Sequence, residues 1–242
     1  MDNSAYITLS RQLALFRDMD VTAGNIANAN TTGYNAEHIT FNSYLIKDNN
    51  SGMRNDMAFA YDISTYRDTS VGSFTTTGNS LDVALQSDGY FTIQTPLGIR
   101  YTRAGNFQLD GTGQMITPEG YIVLDNSGQP ITFPEDTVSI EIGSGGNIKA
   151  NGQDFSTLGV VRFDNPQLLE RLHSGLYKSD ITPPQMENPG VAQGVLENSN
   201  VKPIVELTHM MEVSRAVANT AKFVETLYDL QRKTANTWSQ QG

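Results

Sequence analysis

Apolar residues recur at two different periods along this chain, and the period changes with position. Near the start, Leu9, Leu13, Phe16, Met19, Ala23 and Ile26 follow one another at intervals of three and four, the spacing of one helix face. Arg11, Gln12, Arg17 and Asp18 fall on the opposite face. This predicts a helix over 4–29, with Ser4 as N-cap and Gly33 as its stop. Near the end, Pro203 opens a second helix predicted over 203–238. Leu207, Met210, Ser214, Val217, Ala221, Val224, Tyr228, Gln231, Ala235 and Trp238 keep a strict three-four alternation, a heptad seam with small and polar members.

Between the helices the period falls to two. Residues 80–163 carry short alternating runs broken by turn residues: Leu81–Leu85, Tyr90–Thr95, Ile99–Leu109, Tyr121–Leu124, Val138–Ile142, Ile148–Ala150 and Leu158–Phe163. Short strands closed by pairs such as Asp110-Gly111 and Asn151-Gly152 predict a sandwich or barrel-like β body. Asn165-Pro166 predicts one short helix through Leu172. Residues 35–79 mix polar stretches (Lys47–Gly52) with aromatics such as Phe41 and Tyr66, and read as an extended, partly ordered connector. The fold class is therefore mixed α+β. The terminal helices, 1–34 and 197–242, pair as a coiled-coil stalk; 35–79 is the connector and 80–196 the all-β body.

Asparagine collects just inside each helix: Asn25, Asn28 and Asn30 near the start, Asn198 and Asn200 before Val201 near the end. One reading is a frayed, capped helix end. The other is a buried amide network joining helix to connector, since amides both donate and accept. The matching pair beside the second helix favours the network.

Composition narrows the function. A net charge of −10 without a basic stripe speaks against nucleic acid and against anionic membrane surfaces. The hydrophobic fraction of 38% leaves much of the chain as polar or assembly surface. With no cysteine there is no disulfide or thiolate site. The opening Met1-Asp2-Asn3-Ser4 lacks the basic and apolar regions of a secretory signal, which taken alone predicts a cytoplasmic protein unless export needs no such signal. His38, His173 and His209 show no metal spacing, Gly143–Gly146 precedes no helix, and Glu135-Asp136 sits in a turn. No catalytic, cofactor or metal site is predicted, and no small-molecule substrate.

Three ordered motifs resemble one family. They are Gly24-Asn25-Ile26-Ala27-Asn28-Ala29-Asn30-Thr31-Thr32-Gly33-Tyr34; the stretch from Leu81–Leu85 and Gly89-Tyr90-Phe91 to Tyr101–Phe107; and Leu196–Val201 with Met211–Arg215 beyond it. The chain resembles the bacterial flagellar axial proteins of the rod and hook type over essentially its whole length. The opening residues, with Tyr6 and Leu9-Ser10-Arg11-Gln12, are similar to the proximal-rod subgroup, and the chain is short for a hook protein. The resemblance implies a torque-transmitting subunit of the drive shaft, exported by the flagellar type III apparatus without a cleaved signal. It would stack on copies of itself and other axial proteins across the periplasm, inside surrounding ring proteins. The expected assembly interface is Leu9, Leu13, Phe16, Ala23, Asn25, Ile26, Asn28 and Asn30 at one end. At the other it is Asn198, Asn200, Val201, Leu207, Met210, Val217, Ala221, Val224 and Tyr228. A distal rod or hook-type subunit is the nearest alternative. A secreted β-rich glycan-binding or glycan-hydrolysing protein is the distant one, and it has no use for terminal heptads.

Overall fold

The computed structural model describes residues 2–46 and 57–239; within them, side chains are described for 7–40, 64–230, 232, 233 and 236. The polar stretch from Lys47 to Gly52, and the seam side chains Gln231, Ala235 and Trp238, lie outside what is described. The chain divides into two compact units, 1–27 with 37–67 and 202–242, and 28–36 with 68–201.

The first unit holds two helices and one hairpin. Helix α1 spans Asp2–Ala27, strand β1 Glu37–Ile46, strand β2 Met57–Arg67 and helix α2 Pro203–Ser239. Ser4 lies inside α1 and is not its cap, because the helix already begins at Asp2. β1 and β2 pair antiparallel from Glu37 opposite Arg67 to Ile46 opposite Met57, with a bulge at Asn42/Ser43. Part of the segment read as an extended connector is thus a long ribbon, consistent with its β-branched and aromatic content. α1 contacts α2 and both strands. Among the described residues of this unit, the buried apolar side chains are Ala14 and Val213, whereas Thr8, Thr22, Asn25, Arg67, Glu206 and Thr220 are buried and polar.

The second unit is an antiparallel β body. In chain order its strands are β3 (Phe74–Thr76), β4 (Val83–Leu85), β5 (Tyr90–Thr95), β6 (Gly98–Thr102), β7 (Gln108–Leu109), β8 (Met115–Ile116) and β9 (Ile122–Val123). Then come β10 (Ile140–Ile142), β11 (Asn147–Ala150), β12 (Gln153–Thr157), β13 (Val160–Val161), β14 (Glu170–Arg171), β15 (Leu176–Lys178), β16 (Val191–Gln193) and β17 (Val195–Glu197). The main sheet runs β14-β15-β6-β5-β9-β8-β7, with β13 also on β5; β10-β11-β12 form a second sheet, and β16-β4 and β17-β3 are pairs. β5 is the centre of the body. Its alternate side chains enter two different clusters, Phe91 and Ile93 in one and Tyr90 in the other. The larger cluster also takes in Val83, Leu85, Phe107, Met115, Ile131, Ile148 and Leu176. In the smaller, Tyr90 meets Tyr177 and Phe163 edge-to-face at 5.5 Å.

Three local expectations are corrected. α1 ends at Ala27, and Gly33 sits beyond a turn in which the Thr31 amide donates to Asn28 O. Gly33 is required for another reason: its φ is +66°, and a Cβ there would lie 2.6 Å from the Ala104 nitrogen. The run Ile99–Leu109 is not one strand. The chain leaves the ladder after Thr102 and turns the Arg103 side chain inward. The helix expected from Asn165 is one 3-10 turn over Pro166–Leu168, which Asn165 caps through Gln167 N, after which the chain joins the sheet as β14.

Candidate assembly surfaces

In the first unit both helices present large apolar side chains outward. Leu9, Leu13 and Phe16 are 53%, 57% and 44% exposed, and Ala23 is exposed too; Met19 and Ile26 are half-buried at the edge of the stripe. The inward side of α1 instead presents Thr8, Thr22 and Asn25. On α2 the inward column is Glu206, Met210, Val213, Val217, Thr220, Val224 and Leu227, all buried or half-buried. It shares Met210, Val217 and Val224 with the expected seam. The other half of that seam, Leu207, Ser214, Ala221 and Tyr228, is exposed. The three-four period was legible, but two adjacent columns satisfy it, and side-chain size does not say which one faces α1. Outside these columns Ile204, Val205, Met211, Phe223 and Leu230 are also more than half exposed.

Asn25 ties α1 to the start of β1 within this unit. Its carbonyl accepts the Glu37 amide at 3.0 Å, and its amide donates to Glu37 O at 2.8 Å and to Glu206 Oε2 at 3.2 Å. This is the amide-network reading, and it leaves Asn25 99% buried. His209 Nε2 lies 3.1 Å from Asp18 Oδ1, and the His38 ring lies 5.4 Å from the Tyr66 ring at a tilt of 37°. These groups line a cavity of about 240 Å3 with Glu37 and Glu206.

In the second unit the segment Glu197–Val201 threads through the body. Glu197 Oε2 accepts Arg103 Nε at 2.6 Å, and its Oε1 accepts the Gly72 amide at 3.0 Å. The rest of the Arg103 guanidinium donates to Ser87 O, Gly89 O and Leu85 O, at 2.8, 3.0 and 3.2 Å. Asn200 accepts the Ala36 amide at 2.7 Å and donates to Asp68 O and Ser70 O. Asn198 donates to Ser73 and Thr75 hydroxyls, and Val201 packs with Tyr34 and Ala36. Asn28 holds the turn at Thr31, and Asn30 is exposed. The Arg103–Glu197 pair was missed from the sequence. Both residues stand in motifs singled out there, but nothing in either run says that two ions 94 residues apart meet inside a core.

Burial pushes the Tyr101 phenol up, Glu170 raises Lys178, and the Thr112 hydroxyl with the Gln114 amide lowers Asp110. Among the described residues no three potential ligands cluster for a metal, and no helix is long and apolar enough to cross a membrane.

What the arrangement offers is surface for packing, and relatives share its whole length. The chain matches the family descriptions "Flagella basal body rod protein" over residues 6–35, "Flagellar hook protein FlgE/F/G D1 domain" over 84–150 and "Flagellar basal body rod FlgEFG protein C-terminal" over 192–237. It is 36% identical over 224 residues to the flagellar basal-body rod protein FlgF of Mesorhizobium japonicum, covering 91% of each chain. This chain belongs to the flagellar basal-body rod protein family. The FlgF of Caulobacter vibrioides is 33% identical over 96% of each chain, and the FlgG of Bacillus subtilis 33% identical over 98% of this chain and 99% of its own. The chain is a structural rod subunit of the flagellar basal body, most like the proteins named FlgF.

Proposed function

We propose that this rod subunit polymerises axially through its terminal helices, stacks on copies of itself and on other axial proteins, and carries torque across the periplasm. The observation that carries the reading is the outward stripe Leu9, Leu13 and Phe16 on α1, together with Leu207, Met211 and Tyr228 on α2. Apolar patches of this kind mark interfaces, and covering them removes further apolar area from water. The unit is one subunit's share of a core that neighbours complete, with the helices pairing as coiled coils in the assembled shaft. The work is mechanical and needs no catalysis, cofactor or nucleic acid. Secretion proceeds through the flagellar export apparatus without a cleaved signal, and the subunit lies at the proximal end of the rod, within the surrounding rings.

Leu13→Asp tests this reading. In the free chain Leu13 is exposed, so the variant should keep parental stability within about 0.5 kcal/mol. In the assembly it places an unpaired charge in a helix interface, which costs several kcal/mol. Cells carrying it should be non-motile, with the protein absent from isolated basal bodies. Wild-type motility and normal recovery would overturn the helix-mediated assembly.

A further inference from the structure

The hairpin β5–β6 has an apolar knob at one end and a polar-rimmed pocket at the other. At its turn Leu97 is 82% exposed and Ile99 50% exposed. The knob is held rigid. The Thr95 hydroxyl donates to Gly98 O at 2.8 Å, and Arg100 folds back to donate to Ile99 O and Leu97 O at 2.6 and 2.9 Å. That rigidity lowers the ordering cost of docking it. At the far end, Thr102 and Ala104 line a pocket of about 290 Å3 together with Asn106, Glu119, Ser174 and Leu176. Along the strand Leu97 and Thr102 are roughly 16 Å apart, at about 3.3 Å per residue.

We propose that the Leu97 knob of one copy seats in the Thr102–Leu176 pocket of the next copy. The occupant is argued from charge and direction. Arg100 at the knob is a cation and Glu119 at the pocket rim an exposed anion, so the two ends of one hairpin are complementary to each other. A knob and its own receptor on opposite ends form a head-to-tail contact, which does not close on itself as a twofold pair does and leads to open polymers. This contact rests on the axial-assembly reading and adds a body-to-body contact that the helix stripes do not supply.

The chain has no cysteine, so engineered thiols report without background. Pro96→Cys, beside the knob, and Ser174→Cys are exposed substitutions that keep Leu97 and leave the β core untouched. Both variants are co-expressed in motile cells, and basal bodies are isolated and mildly oxidised. A covalent dimer of this chain should appear for the pair and be lost when either variant is present alone. Glu119→Arg should reduce its yield at least several-fold, whereas Glu119→Asp, which keeps the charge, should not. Four results overturn the knob-and-pocket contact: no dimer although the protein is recovered in basal bodies, a dimer from Pro96→Cys alone, a product of another mass, or indifference to the charge reversal. Failure to recover even the parent chain in basal bodies would instead count against the assembly reading itself.

Discussion

Removing the Glu197 carboxylate should cost the β body more than any exposed change. Glu197 is 2% exposed and Arg103 5%, so both charges sit out of water. In Glu197→Ala the Arg103 guanidinium keeps its three carbonyl acceptors but loses its counter-charge, and the Gly72 amide loses its acceptor. Breaking a buried pair from one side typically costs about 3–5 kcal/mol. At roughly 2–4 °C per kcal/mol for a chain of this size, the melting temperature should fall by roughly 6–20 °C. Arg103→Met should cost a similar amount, because it leaves a buried carboxylate without its counter-charge and takes the guanidinium donor from three carbonyls. The double variant removes both charges, so its loss should be well below the sum of the two, with a coupling of at least about 1 kcal/mol. The assay is thermal and urea unfolding of the full chain, followed by circular dichroism in the β region. Single variants within about 1 kcal/mol of the parent, or strictly additive losses, would refute the claim that this pair fastens the Glu197–Val201 segment to the body.

Asn25→Ala should loosen the first unit. It deletes three hydrogen bonds at a buried position and leaves Glu206 short of a donor, so faster amide exchange over α1 and β1 is expected; unchanged exchange would contradict the network. Gly33→Ala should destabilise by about 1–3 kcal/mol from the left-handed backbone alone, with the crowding against Ala104 added; melting at the parental temperature would count against it. Asp110 is held below the usual carboxylate range by the Thr112 hydroxyl and the Gln114 amide. Its stabilisation is therefore complete above the unfolded value near 3.9 and is lost as pH falls through the lower folded value. Asp110→Asn should flatten that acid limb in denaturant titrations, and an identical limb would remove Asp110 as a contributor.

The sequence carried some features further than others, for physical reasons. Helix positions came through because three-four spacing over more than twenty residues has no strand counterpart, and the β body because turn pairs recur between short alternating runs. Which of two adjacent columns on α2 faces α1 did not come through, because both keep the three-four spacing. On α1 the stripe Leu9, Leu13 and Phe16, expected as assembly surface, is exposed, while the inward Thr8, Thr22 and Asn25 carry no apolar signal. The long β1–β2 ribbon read as a connector because its polar and apolar residues do not alternate cleanly. Asn25 was legible as an amide able to bridge, since its chemistry is local. The Arg103–Glu197 clamp was not, since it depends on which strands the fold brings together.

The central claim is that this chain is a rod subunit whose exposed helix stripes are covered by its neighbours. An electron cryo-microscopy map of isolated basal bodies, with this chain built into density, tests it most directly. The account predicts the chain within the rod, with Leu9, Leu13, Phe16, Leu207 and Met211 buried against helices of adjacent subunits. A chain located outside the rod, or one within it whose stripes still face solvent, would contradict it.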